Sequence, residues 1–120
     1  MSGAQPWPTE LRLNPAKDEL TIRFDDQRSH VLSAEYLRVE SPSAEVQGHS
    51  PDQRQTVSGK KGVKISQLEP IGNYAVRIIF DDGHDTGLYS WSYFLELGEE
   101  KDRKWAAYLE ALEKKGLKRE

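Results

Sequence analysis

The sequence predicts an α+β domain: a mostly antiparallel β-sheet built from hairpins, followed by two C-terminal helices. Three observations carry this. Apolar and polar residues alternate through 11–24 and again through 74–80, the period of strands with one buried face. Gly72-Asn73 and Asp82-Gly83 bracket the second run with hairpin-turn chemistry. Trp105, Tyr108, Leu109 and Leu112 then fall at i, i+3, i+4 and i+7, one apolar stripe along a helix. Strands first and helices last make the class α+β. A chain of 120 residues is the size of one domain with a single modest core.

The elements follow in order. Residues 1–8, small and Pro-rich, read as a flexible tail. Leu11 and Leu13, then Leu20, Ile22 and Phe24, mark two strands parted by Asn14-Pro15-Ala16-Lys17. Asp25-Asp26-Gln27-Arg28 ends the second with turn residues. Val31 to Glu40 reads two ways: Ser33 caps a helical turn through Tyr36, or Tyr36 to Glu40 is a strand. From Gln47 to Gly62 only Val57 is strongly apolar, and a mobile loop is expected there. Pro70 marks a short or edge strand ahead of a Gly72-Asn73 type II′ turn. Tyr74, Val76, Ile78 and Phe80 then form the best-patterned strand. Asp82-Gly83 as a type I′ loop would oppose Asp81 and His84 directly, with Thr86 to Tyr89 as the return strand. Ser90 suits the N-cap of a helix from Trp91 to Leu97, and Gly98 suits its stop. That would close a domain spanning 9–98. Within 99–120, Glu99, Glu100 and Asp102 open an amphipathic helix packed on it. Tyr74, Phe80, Trp91, Trp105 and Leu112 are the expected large core residues.

Composition removes several function classes. The net charge is −3, and 31% of residues are charged. No basic face accumulates for phosphate neutralisation, so no nucleic-acid partner is expected. Lys114, Lys115, Lys118 and Arg119 cluster at a helix end, where cations complement the dipole. The absence of cysteine rules out disulfides, thiolate metal sites and cysteine nucleophiles. Residues 1–6 lack the basic start and apolar run of a signal peptide, and no stretch is long enough to span a membrane. The expectation is a cytoplasmic protein without membrane contact, compatible with a monomer but with its oligomeric state not read from the sequence.

The densest chemistry lies in Asp81-Asp82-Gly83-His84-Asp85-Thr86-Gly87-Leu88-Tyr89-Ser90-Trp91, which holds three carboxylates, one histidine, two glycines and two aromatics. Ser41, Ser43, His84 and nearby aspartates could supply a nucleophilic triad, but no Gly-x-Ser-x-Gly elbow accompanies them. His84 with Asp81, Asp82 or Asp85, joined by His49, could hold a metal. The His-x-carboxylate pair of iron oxygenases is missing, since Thr86, Leu32 and Pro51 follow the histidines at i+2. A cross-strand bond from His84 to Asp81 is the simpler expectation. Gly59-Lys60-Lys61-Gly62 lacks the spacing and hydroxyl of a phosphate loop.

Two stretches together are distinctive: Leu37-Arg38-Val39-Glu40-Ser41-Pro42-Ser43-Ala44-Glu45-Val46, and Gly72-Asn73-Tyr74 running into Phe80 through Trp91. They resemble the small domain at the N-terminus of gamma-butyrobetaine and trimethyllysine hydroxylases. That domain also occurs as short free-standing bacterial proteins of unknown function and attached to some Mrp-type iron–sulfur cluster carrier ATPases. The likeness covers roughly residues 9 to 98. In the hydroxylases, cysteines after the Leu-Arg pair hold zinc together with the histidine of the second stretch. Carried over, those cysteine positions fall on Ser41, Ser43 and Val46, and the histidine falls on His84. Hydroxyls are poor zinc ligands and valine is none, so the resemblance implies the fold and withdraws the metal. The hydroxylases' catalytic domain has no counterpart in this sequence.

The expected function is therefore a non-catalytic accessory or interaction module with no cofactor, binding another protein. By resemblance it is connected to oxygenase or iron–sulfur proteins. Its expected binding residues are Arg38, Asp81, His84, Asp85, Tyr89 and Trp91, gathered on one surface with an aromatic uncovered. The alternative is a metal-binding domain using His84 and its neighbouring carboxylates. A small hydrolase comes third, and no enzyme activity is expected.

Overall fold

The structure is a computed structural model that describes residues 6–48 and 50–120. Three antiparallel strands open it, β1 (Pro8–Leu13), β2 (Glu19–Phe24) and β3 (Ser29–Ser33), in that spatial order. The alternation in β2 puts Leu20, Ile22 and Phe24 inside, each at most 2% exposed. Asn14 builds the first turn: its side-chain oxygen accepts the amides of Asp18 and Glu19, both at 3.0 Å. Helix α1 (Ala34–Val39) follows directly, because Ser33 Oγ accepts the Tyr36 amide at 3.0 Å as an N-cap. That bond decides the 31–40 ambiguity in favour of helix. A short helix α2 (Ala44–Gln47) and a 3-10 turn (Pro51–Gln53) lead into the 54–62 segment.

A second antiparallel sheet contains β4 (Ile65–Ile71), β5 (Ala75–Phe80) and β6 (Leu88–Ser90), again in chain order. Ser90 then caps helix α3 (Trp91–Glu99) by accepting the Tyr93 amide, and helix α4 (Lys101–Lys114) ends the fold. The sequence-based class, α+β with antiparallel hairpins and two C-terminal helices, is what the structure shows. One apolar cluster joins both sheets to α1 and α3, drawing on Leu20, Ile22, Leu37, Ile65, Ile78, Phe80, Tyr89, Phe94 and Leu97. A smaller one joins Val39 to Tyr108 and Leu112 of α4, with Val57 packed against it. The 54–62 segment is bonded at several points. Gln55 N–H donates to Val46 O at 2.7 Å, and Val57 O accepts Tyr108 Oη–H at 2.6 Å. Of the tail expected over 1–8, residues 1–5 lie outside the described residues. Trp7 exchanges hydrogen bonds with Asp25, through its backbone N–H and O.

Several local expectations are corrected. The β4–β5 loop has three residues, since Ile71 pairs with Ala75, and Tyr74 sits in the loop 57% exposed rather than in the core. The β5–β6 loop is also longer than a two-residue turn: Phe80 N–H donates to His84 O at 2.9 Å, closing Asp81–Gly83. Only Gly83 there has a positive φ, at 91°, so Asp82 lacks the conformation a type I′ turn requires. His84 thus faces Phe80, not Asp81, and the return strand starts at Leu88. Gly98 does not stop α3 but lies within it. A Cβ at Gly98 would come 2.3 Å from the His30 ring, so close packing is its reason for being glycine. Leu109, placed on the buried stripe of the last helix, is 40% exposed.

Candidate functional site

The loop after α1 and the loop after β5 meet at His84. Its Nε2 lies 2.9 Å from Ser41 Oγ and 3.4 Å from Ser43 Oγ, and the two hydroxyls are 3.1 Å apart. Burial and the nearby Arg38 charge lower the His84 pKa, outweighing Glu45, Asp82 and Asp85, so the ring is neutral at pH 7. Ser41 Oγ–H donates to Ser43 Oγ and Ser41 Oγ accepts the Ser43 amide at 3.3 Å, while the other ring nitrogen of His84, Nδ1, lies 3.6 Å from Glu45 Oε2. Thr86 Oγ1 donates to the same Glu45 carboxylate at 2.5 Å. The Ser41 backbone is fixed in turn, with its carbonyl accepting Gln47 Nε2–H at 2.8 Å.

Beside this knot lies a charged one centred on Asp82. One oxygen accepts from Arg38 Nε at 2.8 Å and sits 2.6 Å from Lys60 Nζ, and the other accepts the His84 amide at 3.0 Å. Burial alone would raise the Asp82 pKa, but Lys60, the His84 amide and Arg38 together pull it down to about 2. Arg38 Nη1 is buried with no partner among the described residues. Asp82 is therefore the carboxylate that compensates a largely buried guanidinium.

The expected binding residues divide into separate places. Arg38 and His84 come together around Asp82. Asp81 turns the other way, exchanging backbone and side-chain bonds with Lys64 at 2.9 and 3.0 Å. Asp85 is half-buried beside His84, close enough to favour its charged form. Tyr89 is wholly buried and donates its hydroxyl to Leu37 O at 2.5 Å. Trp91 lies at the far end of β5, a six-residue strand of roughly 20 Å at ~3.3 Å per residue. Its Nε1–H donates to Asn73 O at 2.9 Å, and its ring meets Trp7 edge-on with centroids 6.3 Å apart. Trp7 is 50% exposed, so the uncovered aromatics belong to this end of the molecule and not to the His84 end.

Chemically, Ser41, His84 and Glu45 follow the order of a hydroxyl, an imidazole and a carboxylate in a relay. Access is what it lacks. Ser41 is 0% exposed, and a Cβ at Gly87 would come 2.6 Å from its Oγ. Five surface clefts of the molecule are lined by residues other than Ser41 and His84. Zinc does not fit the donors present either, since two hydroxyls, a buried valine and one imidazole make no zinc shell. Among the described residues no group of three or more His, Cys, Asp or Glu side chains converges for a metal. His49, named with His84 in the metal alternative, lies outside the described residues. Sequence reasoning missed Lys60 and Glu45 as neighbours of the site. No local signal marks them, because only the tertiary fold of the long loop and of α2 delivers them there.

Comparison with known proteins adds the ancestry. The family model described as gamma-butyrobetaine hydroxylase-like, N-terminal, matches residues 11–95. The chain belongs to that family. Two solved structures, both NMR solution structures, are 44% and 43% identical to this chain. They cover 98% and 99% of this chain and 92% and 89% of their own, each with a TM-score of 0.83. A crystal structure from Acidithiobacillus ferrooxidans ATCC 23270 is 33% identical, over 79% of this chain and 98% of that one, with a TM-score of 0.66. It is described as a protein of unknown function in the DUF971 family. No curated protein matches the chain. No helix among the described residues is long and apolar enough to cross a membrane.

Proposed function

We propose that this chain is a cytoplasmic, non-catalytic accessory module that acts by binding another protein. On this reading the Ser41–Ser43–His84 corner is a zinc site that has lost its cysteines and is closed by hydrogen bonds instead. The observation that carries it is the corner's geometry. Two hydroxyls at positions assigned to cysteine ligands stand 2.9 and 3.4 Å from the imidazole nitrogen that would bind metal. A hydroxyl that is fully buried under Gly87 offers a substrate no approach, which speaks against nucleophilic catalysis. Two of the three carboxylates a metal would recruit are engaged, Asp82 by Arg38 and Lys60 and Asp81 by Lys64. Support for a protein partner comes from the other end, where Trp7 and Tyr74 are 50% and 57% exposed beside Trp91. Large aromatics on a small polar surface are enriched at protein interfaces.

Two measurements test the two halves. The S41C/S43C/V46C variant should take up one zinc per chain by atomic absorption, with Cys3His ligation, while the native chain takes up none. A triple variant that folds and stays metal-free would contradict the lost-site reading. For the partner, capture from cells with the native chain and with Tyr74→Ala should retain a protein in the first case and release it in the second. Identical sets from both would contradict the interaction reading.

A further inference from the structure

Arg119, in the segment that follows α4, sits in a pocket with several specific contacts. Its Nε and Nη2 donate to the two oxygens of Glu35, at 2.9 and 2.8 Å, the paired geometry that discriminates arginine from lysine. Its guanidinium carbon stands 5.2 Å from the centroid of the Trp105 ring. That ring is held in place by Tyr36 and Tyr108, with centroids 6.2 and 5.2 Å away. The backbone is read as well. Gly59 N–H donates to Lys118 O and Lys61 N–H to Arg119 O, both at 2.9 Å. Two main-chain donors, a forked carboxylate and an aromatic wall are the parts of a site for an extended peptide.

The carboxylate of the pocket is buried and its occupant is partly exposed. Glu35 is 6% exposed, anchored in the first turn of α1, and among the described residues its only ion-pair partner is Arg119. A carboxylate so buried demands a cation whenever the tail leaves. Arg119 is 38% exposed along its side chain, and Leu117 is 38% exposed. The remaining tail contact, Lys61 with Glu120, is between side chains 53% and 77% exposed. Gly116, with φ 66°, ends α4, so residues 118–120 can swing away without unwinding the helix.

We infer that Glu35, Trp105 and the backbone of residues 59–61 form a recognition site for an extended peptide bearing arginine, which the chain's own Arg119 fills as a resident competitor. This site is separate from the His84 corner and does not depend on how that corner is read. Tethering gives the tail a high effective concentration, so an outside peptide binds weakly until the resident arginine is removed.

The test uses the full chain carrying Arg119→Ala, labelled for NMR, and the acetylated peptide Gly-Leu-Lys-Arg-Glu. A second peptide replaces arginine with neutral citrulline. Saturable shifts of the Trp105 indole N–H and the Gly59 and Lys61 amides are expected in R119A, at least tenfold weaker in the native chain and absent with citrulline. A folded R119A that stays silent, or responds equally to citrulline, overturns the proposal. Hydrogen exchange in the native chain decides the matter if R119A does not fold. The Gly59 and Lys61 amides should exchange through local opening, far faster than Ile78. Exchange as slow as Ile78 would make the tail a permanent part of the fold and overturn the proposal.

Discussion

At His84, surroundings set the protonation state and the protonation state sets the bond to Ser41. Its folded pKa is lowered below 6.5, so in acid the unfolded chain takes a proton that the folded chain resists. The stability this residue contributes is complete above pH 6.5 and is lost as pH falls through the folded value. The urea midpoint should therefore drop between pH 7.5 and 5.5 in the native chain and drop less in His84→Ala. At pH 7.5, H84A should cost about 1–2 kcal/mol, the scale of a buried hydrogen bond, and a chelator should not change that figure. Asp82 acts lower on the scale. Its pKa falls from 3.8 to about 2, so its contribution is present above roughly pH 4 and lost as pH falls toward 2. Discounted for solvent screening it amounts to about 1 kcal/mol, read as a shallower acid limb in Asp82→Asn. The sequence named His84, and resemblance named Ser41 and Ser43, because side-chain chemistry and spacing carry that much. Lys60 was out of reach, since it arrives through a loop whose path no periodicity records.

At the level of elements, the legible parts are those whose cause is local. Ser33 and Ser90 cap their helices as the sequence suggests, and the alternation in β2 and β5 matches their buried faces. Turn lengths were misjudged because they follow from pairing. Glycine-containing dipeptides fit two-residue loops, but the register of β4 with β5 selected three residues before β5, and the Phe80–His84 backbone bond closed three residues, Asp81–Gly83, after it. Strand β3 was invisible for another reason: it has two apolar residues, and one of them, Val31, is 44% exposed. Gly98 gives the sharpest element-scale prediction. Alanine favours helices, yet Gly98→Ala should destabilise the fold by about 1–3 kcal/mol in thermal melts, because the added methyl collides with His30. A neutral or stabilising effect would mean that β3 and α3 separate more easily than their packing implies. Tyr108→Phe should cost about 1 kcal/mol by removing the hydroxyl bond to Val57 O that ties the long loop to α4.

Across the whole molecule, the dense 81–91 segment is spread along a strand and both its flanks. Its first half meets α1 and the loop beyond at His84, while Trp91 joins Trp7 and Asn73 at the opposite end. Residues adjacent in sequence suggested one surface, but a strand carries its two ends apart, and Tyr89 between them points into the core. The α+β class was readable because patterning repeats over many residues. The division into two sheets was not, because each sheet is a chain-order meander and no local pattern records that β3 and β4 fall in different sheets. The central claim is that the His84 corner holds the fold together by hydrogen bonds and not by a metal. A titration of the metal-free chain with zinc and with ferrous iron, followed amide by amide in NMR correlation spectra, tests it most directly. The account predicts that Ser41, Ser43, His84 and Asp85 stay unshifted. Saturable shifts centred on His84 at micromolar metal would contradict it and make this corner a metal site.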